Sequence, residues 1–164
     1  MIKLKEISIL DSEYVKECIE LEVAPEQSEF VAHNAKSLAD AYIWNKRGEW
    51  VSPNIIYADG VAVGFVMYQY LSCEIDEDYR DIYGGDVYCL WRIMIDKNHQ
   101  GKGYGRQAVQ LVIDEVKKMP KGKADYLCVA YEPENVSAKK LYESLGFVET
   151  GEIVDDELLA RYKL

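Results

Sequence analysis

The chain lacks paired thiols: Cys18, Cys73, Cys89 and Cys128 lie far apart, and no C-x-x-C occurs. With only His33 and His99 beside them, no zinc-type ligand set is present. Each cysteine sits among apolar neighbours, the setting of a buried reduced thiol. Long apolar runs are also missing, since none approaches the ~20 residues needed to cross a bilayer. The opening "MIKLKEISIL" is too short and too charged for a signal peptide, so a cytoplasmic protein with no membrane partner is expected. Positive charge is scarce: 19 Lys and Arg stand against 29 Asp and Glu, a net charge of −10. That argues against nucleic acid, which demands a basic face. An acidic surface serves solubility and also steers a cationic ligand inward. Repeats, low-complexity tracts and linkers are absent.

What is present reads as one α/β domain over residues 1–164, long enough to bury about two-thirds of its unfolded surface. Alternation in "IKLKEISIL" predicts a first strand. Asp11 or Ser12 can cap a helix running to about Glu22, and Pro25 ends that run. "SLADAYIWNKRG" predicts a second helix with Ser37 as N-cap and Gly48 as stop. Two β-rich runs in "NIIYADGVAVGFVMYQYL" meet at Asp59-Gly60, a hairpin signal. After a polar, acidic stretch from Ser72 to Asp86, "VYCLWRIMI" predicts a buried strand over 87–95. A helix from about Gly103 to Lys118, the strand "YLCVAY", a helix from Asn135 to Leu145 stopped by Gly146, and a terminal hairpin across Asp155-Asp156 complete the order.

Between the 87–95 strand and the following helix stands "HQGKGYGRQA", with Gly101, Gly103 and Gly105 alternating with Lys102 and Tyr104. A P-loop requires G-x-x-x-x-G-K-[ST], which no stretch supplies. A dinucleotide fingerprint requires G-x-G-x-x-G, but its sixth position counted from Gly101 is Arg106. What remains is Gln100-x-x-Gly103-x-Gly105 at the start of a helix. There, unpaired amides carry partial positive charge, and the missing Cβ atoms let pyrophosphate oxygens approach. Lys102 and Arg106 add charge at the rim. A plain tight turn is the alternative.

"WRIMIDKNHQGKGYGRQAV" resembles the acyl-CoA-binding segment of the GNAT superfamily of N-acetyltransferases. "ENVSAKKLYESLGFVETGE" resembles that superfamily's second signature, N-x-x-A-x-x-L-Y-x-x-x-G-F. Within the superfamily, "FVAHNAKSLADAY" and "VGFVMYQY" look most like the bacterial diamine, spermidine and spermine acetyltransferases. The resemblance implies the acyl-CoA N-acyltransferase fold, a mixed, mostly antiparallel sheet of about seven strands flanked by about four helices. It implies acetyl-CoA as donor, no metal, direct attack by a small primary amine (a polyamine or diamine) in a ternary complex, and a homodimer. Another acceptor, such as an amino acid, aminoglycoside or protein amine, and a non-catalytic CoA-binding module remain alternatives.

By the same resemblance, the amides of Gln100, Gly101, Lys102, Gly103, Tyr104, Gly105 and Arg106 hold the CoA pyrophosphate. The strand at Ile93, Met94 and Ile95 lends main-chain groups to the pantetheine arm, through Ile93 and Ile95. Asn135 caps its helix and bonds the pantetheine, and Lys139 or Lys140 meets the 3′-phosphate. Tyr142 protonates the leaving thiolate. Many relatives carry a glutamate base where this chain has Trp91, and the adjacent Arg92 accepts no proton at neutral pH. Glu132, Glu134, Glu22 or a water chain are the substitutes, with Glu132 preferred.

A cationic amine calls for carboxylates beside apolar or aromatic walls. Two segments qualify: Glu20, Glu22, Glu26 and Glu29, and the 73–86 stretch with Glu74, Asp76, Glu77, Asp78, Asp81 and Asp86 around Tyr79 and Tyr83. The resemblance favours Glu22 and Glu26, with Trp91 as a wall and Glu132 nearby. His99 is expected to pack, and His33 has no assigned role.

Overall fold

In a computed structural model, residues 1–7 and 12–164 are described. Ile9 and Asp11, invoked for the first strand and the first cap, lie outside them. The elements run β1 (Ile2–Glu6), α1 (Ser12–Glu20), a 3-10 turn at Pro25–Gln27, α2 (Asn34–Lys46), β2 (Trp50–Ala58), β3 (Val61–Leu71) and α3 (Asp78–Tyr83). They continue with β4 (Val87–Ile95), α4 (Tyr104–Val116), β5 (Tyr126–Tyr131), α5 (Val136–Leu145), β6 (Val148–Val154) and β7 (Glu157–Lys163). The seven strands form one sheet in the order β1-β2-β3-β4-β5-β7-β6. Every neighbouring pair is antiparallel except β4 with β5.

Side-chain periodicity decides which face each element covers. In α4, Ala108, Val109, Val112, Ile113 and Val116 are all fully buried, a helical stripe pressed on Ile56, Val66, Leu90, Leu127 and Val129 of the sheet. The helix α5 adds Tyr142 to this layer. On the opposite face Cys18 of α1 and Ala41 of α2 pack on Ile55, Phe65, Met67 and Met94. Each fully buried aliphatic side chain contributes roughly 1.5–3 kcal/mol, so both layers hold the sheet between them. Cys18, Cys89 and Cys128 are buried free thiols and Cys73 is half-buried. Burial pushes the Cys18 and Cys128 thiols up to about 12, which leaves them protonated and inert.

Local signals place most boundaries. Asp59 and Gly60, both at positive φ (50° and 86°), make the tight β2–β3 turn. Asn135 accepts from the Ala138 amide at 3.0 Å to cap α5, and Gly146 in the left-handed region ends it. Three expectations are corrected. The helix α2 begins before Ser37: His33 Nδ1 accepts from the Ala35 amide at 3.1 Å, because Asn34 is drawn into the core to donate to the Cys18 carbonyl at 2.8 Å. The helix α1 stops at Glu20 rather than Glu22. Five α-helices, not four, occur among the described residues, since the acidic 72–86 stretch contains α3. Its Tyr79 and Tyr83 cover Leu71, Val87, Cys89, Cys128 and Leu159, so tertiary contact rather than intrinsic periodicity secures that short helix.

Candidate active site

The parallel ladder between β4 and β5 spans only Tyr88–Leu127, Cys89–Cys128 and Leu90–Val129. At the next residue β4 carries a bulge: Leu90 pairs with Tyr68 and Arg92 with Met67, leaving Trp91 without a partner on β3. A bulge bends its strand and raises the local twist. Beyond it β4 runs on to Ile95 and β5 to Tyr131 unpaired with each other, so a gap opens in the middle of the sheet. Main-chain groups facing that gap have no ladder partner on β5 among the described residues. Asp96 donates its amide to Val63 of β3 at 2.9 Å, and antiparallel alternation then turns the groups of Ile93 and Ile95 toward the gap. The Ile95 carbonyl accepts there from Gln100 Nε2 at 2.9 Å. Met94, expected to act with them, also lines the cleft, while its side chain packs in the α1–α2 core and its amide turns toward β3.

Gly101 and Gly103 take φ of +75° and +76°, values that disfavour any Cβ, and carry the chain sharply from β4 into α4. Gly103 is the α4 N-cap and offers no side-chain acceptor; the first turn closes with the Gln107 amide on the Gly103 carbonyl at 3.2 Å. The amides of Tyr104, Gly105 and Arg106 therefore have no carbonyl inside the helix, and the positive end of α4 is bare. A Cβ on Gly105 would stand 3.7 Å from Ile95 and 3.8 Å from Leu141, narrowing the passage between β4 and α5. Gln100 is a brace as much as a ligand, since its Nε2 also donates to Gln27 Oε1 at 2.7 Å. Arg106 lines the cleft and ties α4 to α5 through the hydroxyl and carbonyl of Ser144. Two expected cations are displaced: the side chains of Lys102 and Lys140 are exposed and not on the cleft wall. Lys139 is engaged by Glu149 at 2.8 Å.

Tyr142 comes to the cleft from α5, 5 % exposed and packed between Tyr131 and Phe147 with ring centroids 5.5 Å away on each side. Its hydroxyl has no hydrogen-bond partner among the described residues, so it is free to meet a group in the cleft. Burial above all, with the Glu157 carboxylate adding to it, pushes its phenol above the usual range. It is a neutral donor at physiological pH. Asn135 lines the same wall while capping α5.

The cleft has a volume of about 930 Å³ and continues through the gap to the α1–α2 side of the sheet. There its wall carries the carboxylates of Glu29, Glu132, Glu134, Asp155 and Glu157, with Phe30 and Trp91 as aromatic surface. Trp91 stands edge-on to Trp44 of α2 at 6.1 Å. The cation at this end, Arg92, is consumed by α2: it pairs with Asp40 and donates to Ser37 Oγ, each at 3.0 Å. Partial burial raises the Asp40 carboxyl, but Lys36 and Arg92 outweigh it and hold the group below its usual range.

The expected anchors Glu22 and Glu26 do not reach the cleft wall. Both are exposed, and Glu22 turns outward to Lys97 at 2.7 Å. Past the 3-10 turn at Pro25–Gln27, Glu29, itself exposed, takes a position on the wall. The 73–86 acids are also elsewhere: Asp86 is spent on the Cys73 amide and the Tyr70 hydroxyl, both at 2.8 Å. Glu157 was not anticipated. It follows the Asp155-Asp156 turn with no motif around it, and only the β5–β7 register brings it to Glu132. His99 is half-buried and lines the cleft, and His33 serves as the α2 cap. Among the described residues, no group of three or more His, Cys, Asp or Glu is placed to hold a metal ion.

A split sheet, with a bare helix N-terminus on one side and an acidic chamber on the other, frames the site. The chain belongs to the acetyltransferase (GNAT) family, whose profile matches residues 15–147. It is an N-acetyltransferase that draws its acetyl group from acetyl-CoA. It is 34% identical over 135 residues to a probable spermine N(1)-acetyltransferase of Bacillus subtilis subsp. natto. It is 33% identical over 135 residues to the spermine/spermidine N(1)-acetyltransferase of Bacillus subtilis strain 168. Each alignment covers 82% of both chains. In fold it is similar to an aminoglycoside acetyltransferase solved with coenzyme A and kanamycin, with a TM-score of 0.75 at 16% identity over 99% of this chain and 95% of that one.

Proposed function

We propose that this enzyme acetylates a primary amine of a polyamine or diamine. The acceptor end of the cleft carries the reading: five carboxylates beside aromatic surface, with Arg92 already neutralised by Asp40. A flexible polycation satisfies such a wall at several points, and its methylene segments lie against Phe30 and Trp91. The two relatives named for spermine or spermidine support the same substrate class.

The donor supplies a thioester acetyl group and a thiolate leaving group. The residues that would hold its pyrophosphate are the amides from Gly101 to Arg106, with the bare end of α4 supplying the field. The gap-facing main-chain groups of Ile93 and the Ile95 amide would hold the extended arm as a further strand would, and Asn135 lies along the same passage. An amide in this gap also opposes charge developing on the acyl oxygen, worth on the order of 3 kcal/mol in comparable sites. Tyr142 is the general acid. Its hydroxyl is protonated and has no partner among the described residues, and its place on the cleft wall offsets an acidity weaker than that of a thiol.

Steady-state thiol release with acetyl-CoA and a panel of spermine, spermidine, putrescine, kanamycin and free amino acids tests this reading. Turnover is expected with the polyamines, with kcat/KM falling as the number of ammonium groups falls. Preference for kanamycin or an amino acid overturns it.

A further inference from the structure

At the end of the β5–β7 ladder Tyr131 lies opposite Leu158. The next residue on each side, Glu132 and Glu157, therefore face one another. Tyr131 and Leu158 belong to the core under α4 and α5, so strand alternation sends the two carboxylates to the opposite face. That is the face on which Arg92 reaches α2. Both glutamates line the cleft, and with Glu134, Asp155 and Asp156 they line a side hollow of about 480 Å³. Like charges directly opposite in an antiparallel pair are unfavourable unless a cation or a proton joins them. Tyr142 approaches the gap from the other face. An amine entering on the acidic side thus reaches the carboxylate pair before it reaches the tyrosine.

The two carboxylates are not equivalent. Glu157 is fixed in β7 by its pairing with Val154, whereas Glu132 lies just past the end of β5 in the turn to α5. Burial raises the Glu157 carboxyl above its usual range, Glu132 and Asp155 add to this, and Arg92 opposes it. The remaining groups that feel Glu157 are the neutral Tyr142 hydroxyl and Cys89 thiol.

We propose that Glu157 is the proton acceptor for the attacking ammonium, with Glu132 opposite it as the charge that orients the amine. The proposal rests on the polyamine reading. The ammonium loses one N–H proton to Glu157, which passes it to solvent. The freed lone pair forms the N–C bond as the C–S bond breaks. A second N–H proton passes from the nitrogen to solvent, and sulfur gains a proton from Tyr142, which recovers one from solvent. The sum is ammonium plus thioester giving amide, thiol and one released proton.

The test is the pH profile of kcat/KM for wild type, Glu157→Gln, Glu157→Asp and Glu132→Gln, using whichever amine of the panel turns over best. Acetyl-CoA affinity is measured in parallel by quenching of tryptophan fluorescence. Wild-type rates are expected to fall as pH drops through the Glu157 titration. E157Q should lower kcat about 100-fold, lose that acid limb and keep acetyl-CoA affinity within about twofold. E157D should keep the limb at reduced kcat. E132Q should move the limb to lower pH, because it removes a charge that raises Glu157, and should raise the amine KM. E157Q that retains the limb and a kcat within about threefold of wild type overturns the proposal, as does loss of the limb in E132Q alone. Loss of acetyl-CoA binding in both E157Q and E157D also overturns it, by showing a structural role. The panel itself judges the substrate class, so failure of one reading is distinguishable from failure of the other.

Discussion

The two ends of the cleft are built from different materials. The end proposed for the donor is made of backbone: the bare amides of α4, the gap-facing groups of Ile93 and Ile95, and glycines at 101 and 103 held at positive φ. The acceptor end is made of side chains brought from three places, Glu29 before α2, Glu132 after β5 and Glu157 opening β7. A backbone site is rigid and indifferent to most substitutions that keep the fold. A side-chain site can be retuned by one residue at a time, and it is where the electrostatic contrast between this enzyme and a relative with another acceptor will lie.

The largest effect expected from breaking this division lies where the two ends meet. Tyr142→Phe should lower kcat by about 100-fold or more while acetyl-CoA KM changes less than about twofold, measured by thiol release. Comparable loss in both parameters would place Tyr142 among the binding residues instead. At the donor end, Gly103→Ala forces a Cβ into the left-handed region at a cost of about 1 kcal/mol. It should raise acetyl-CoA KM roughly tenfold with the amine KM unchanged. At the acceptor end, Asp40→Asn frees the Arg92 charge beside the carboxylates. The KM for the acceptor amine should rise about fivefold, and more at low salt than at high, with acetyl-CoA KM unmoved.

Smaller effects sharpen the contrast from outside the cleft. Glu49 is buried with Tyr79 as its hydroxyl partner, and desolvation raises its carboxyl above the usual range despite that bond. A raised folded-state value means that the ionised group opposes folding once pH exceeds the unfolded value near 4.3. Glu49→Gln should therefore raise the melting temperature by about 2 °C at pH 7 and lose that gain near pH 4, with kcat/KM unchanged. Glu22→Gln should alter the polyamine KM by less than about twofold, since its carboxylate is turned away to Lys97. A larger change would return Glu22 to the acceptor site.

Legibility in the sequence follows the same division. Asp59-Gly60, Asn135, Gly146 and the glycine loop are short-range devices, each acting through its own backbone within a few residues, and all four stand where their sequence places them. Ser37 illustrates a local signal overruled: it has the chemistry of a cap, but the burial of Asn34 starts the helix a turn earlier and Ser37 receives Arg92 instead. The helix α3 has too few residues to show a period and forms because Tyr79 and Tyr83 have a core to cover. Glu22 and Glu29 are equivalent as sequence, but the folded chain turns Glu22 to Lys97 and places Glu29 on the cleft wall.

The sequence by itself determined the turn from β4 into α4: glycines spaced before an apolar helical stripe leave the first amides of that helix bare wherever the turn forms. Tertiary structure alone decided the acceptor half. Carboxylates act on a cation through distance and burial, and the pairing of Glu132 with Glu157 exists only once β7 has docked beside β5.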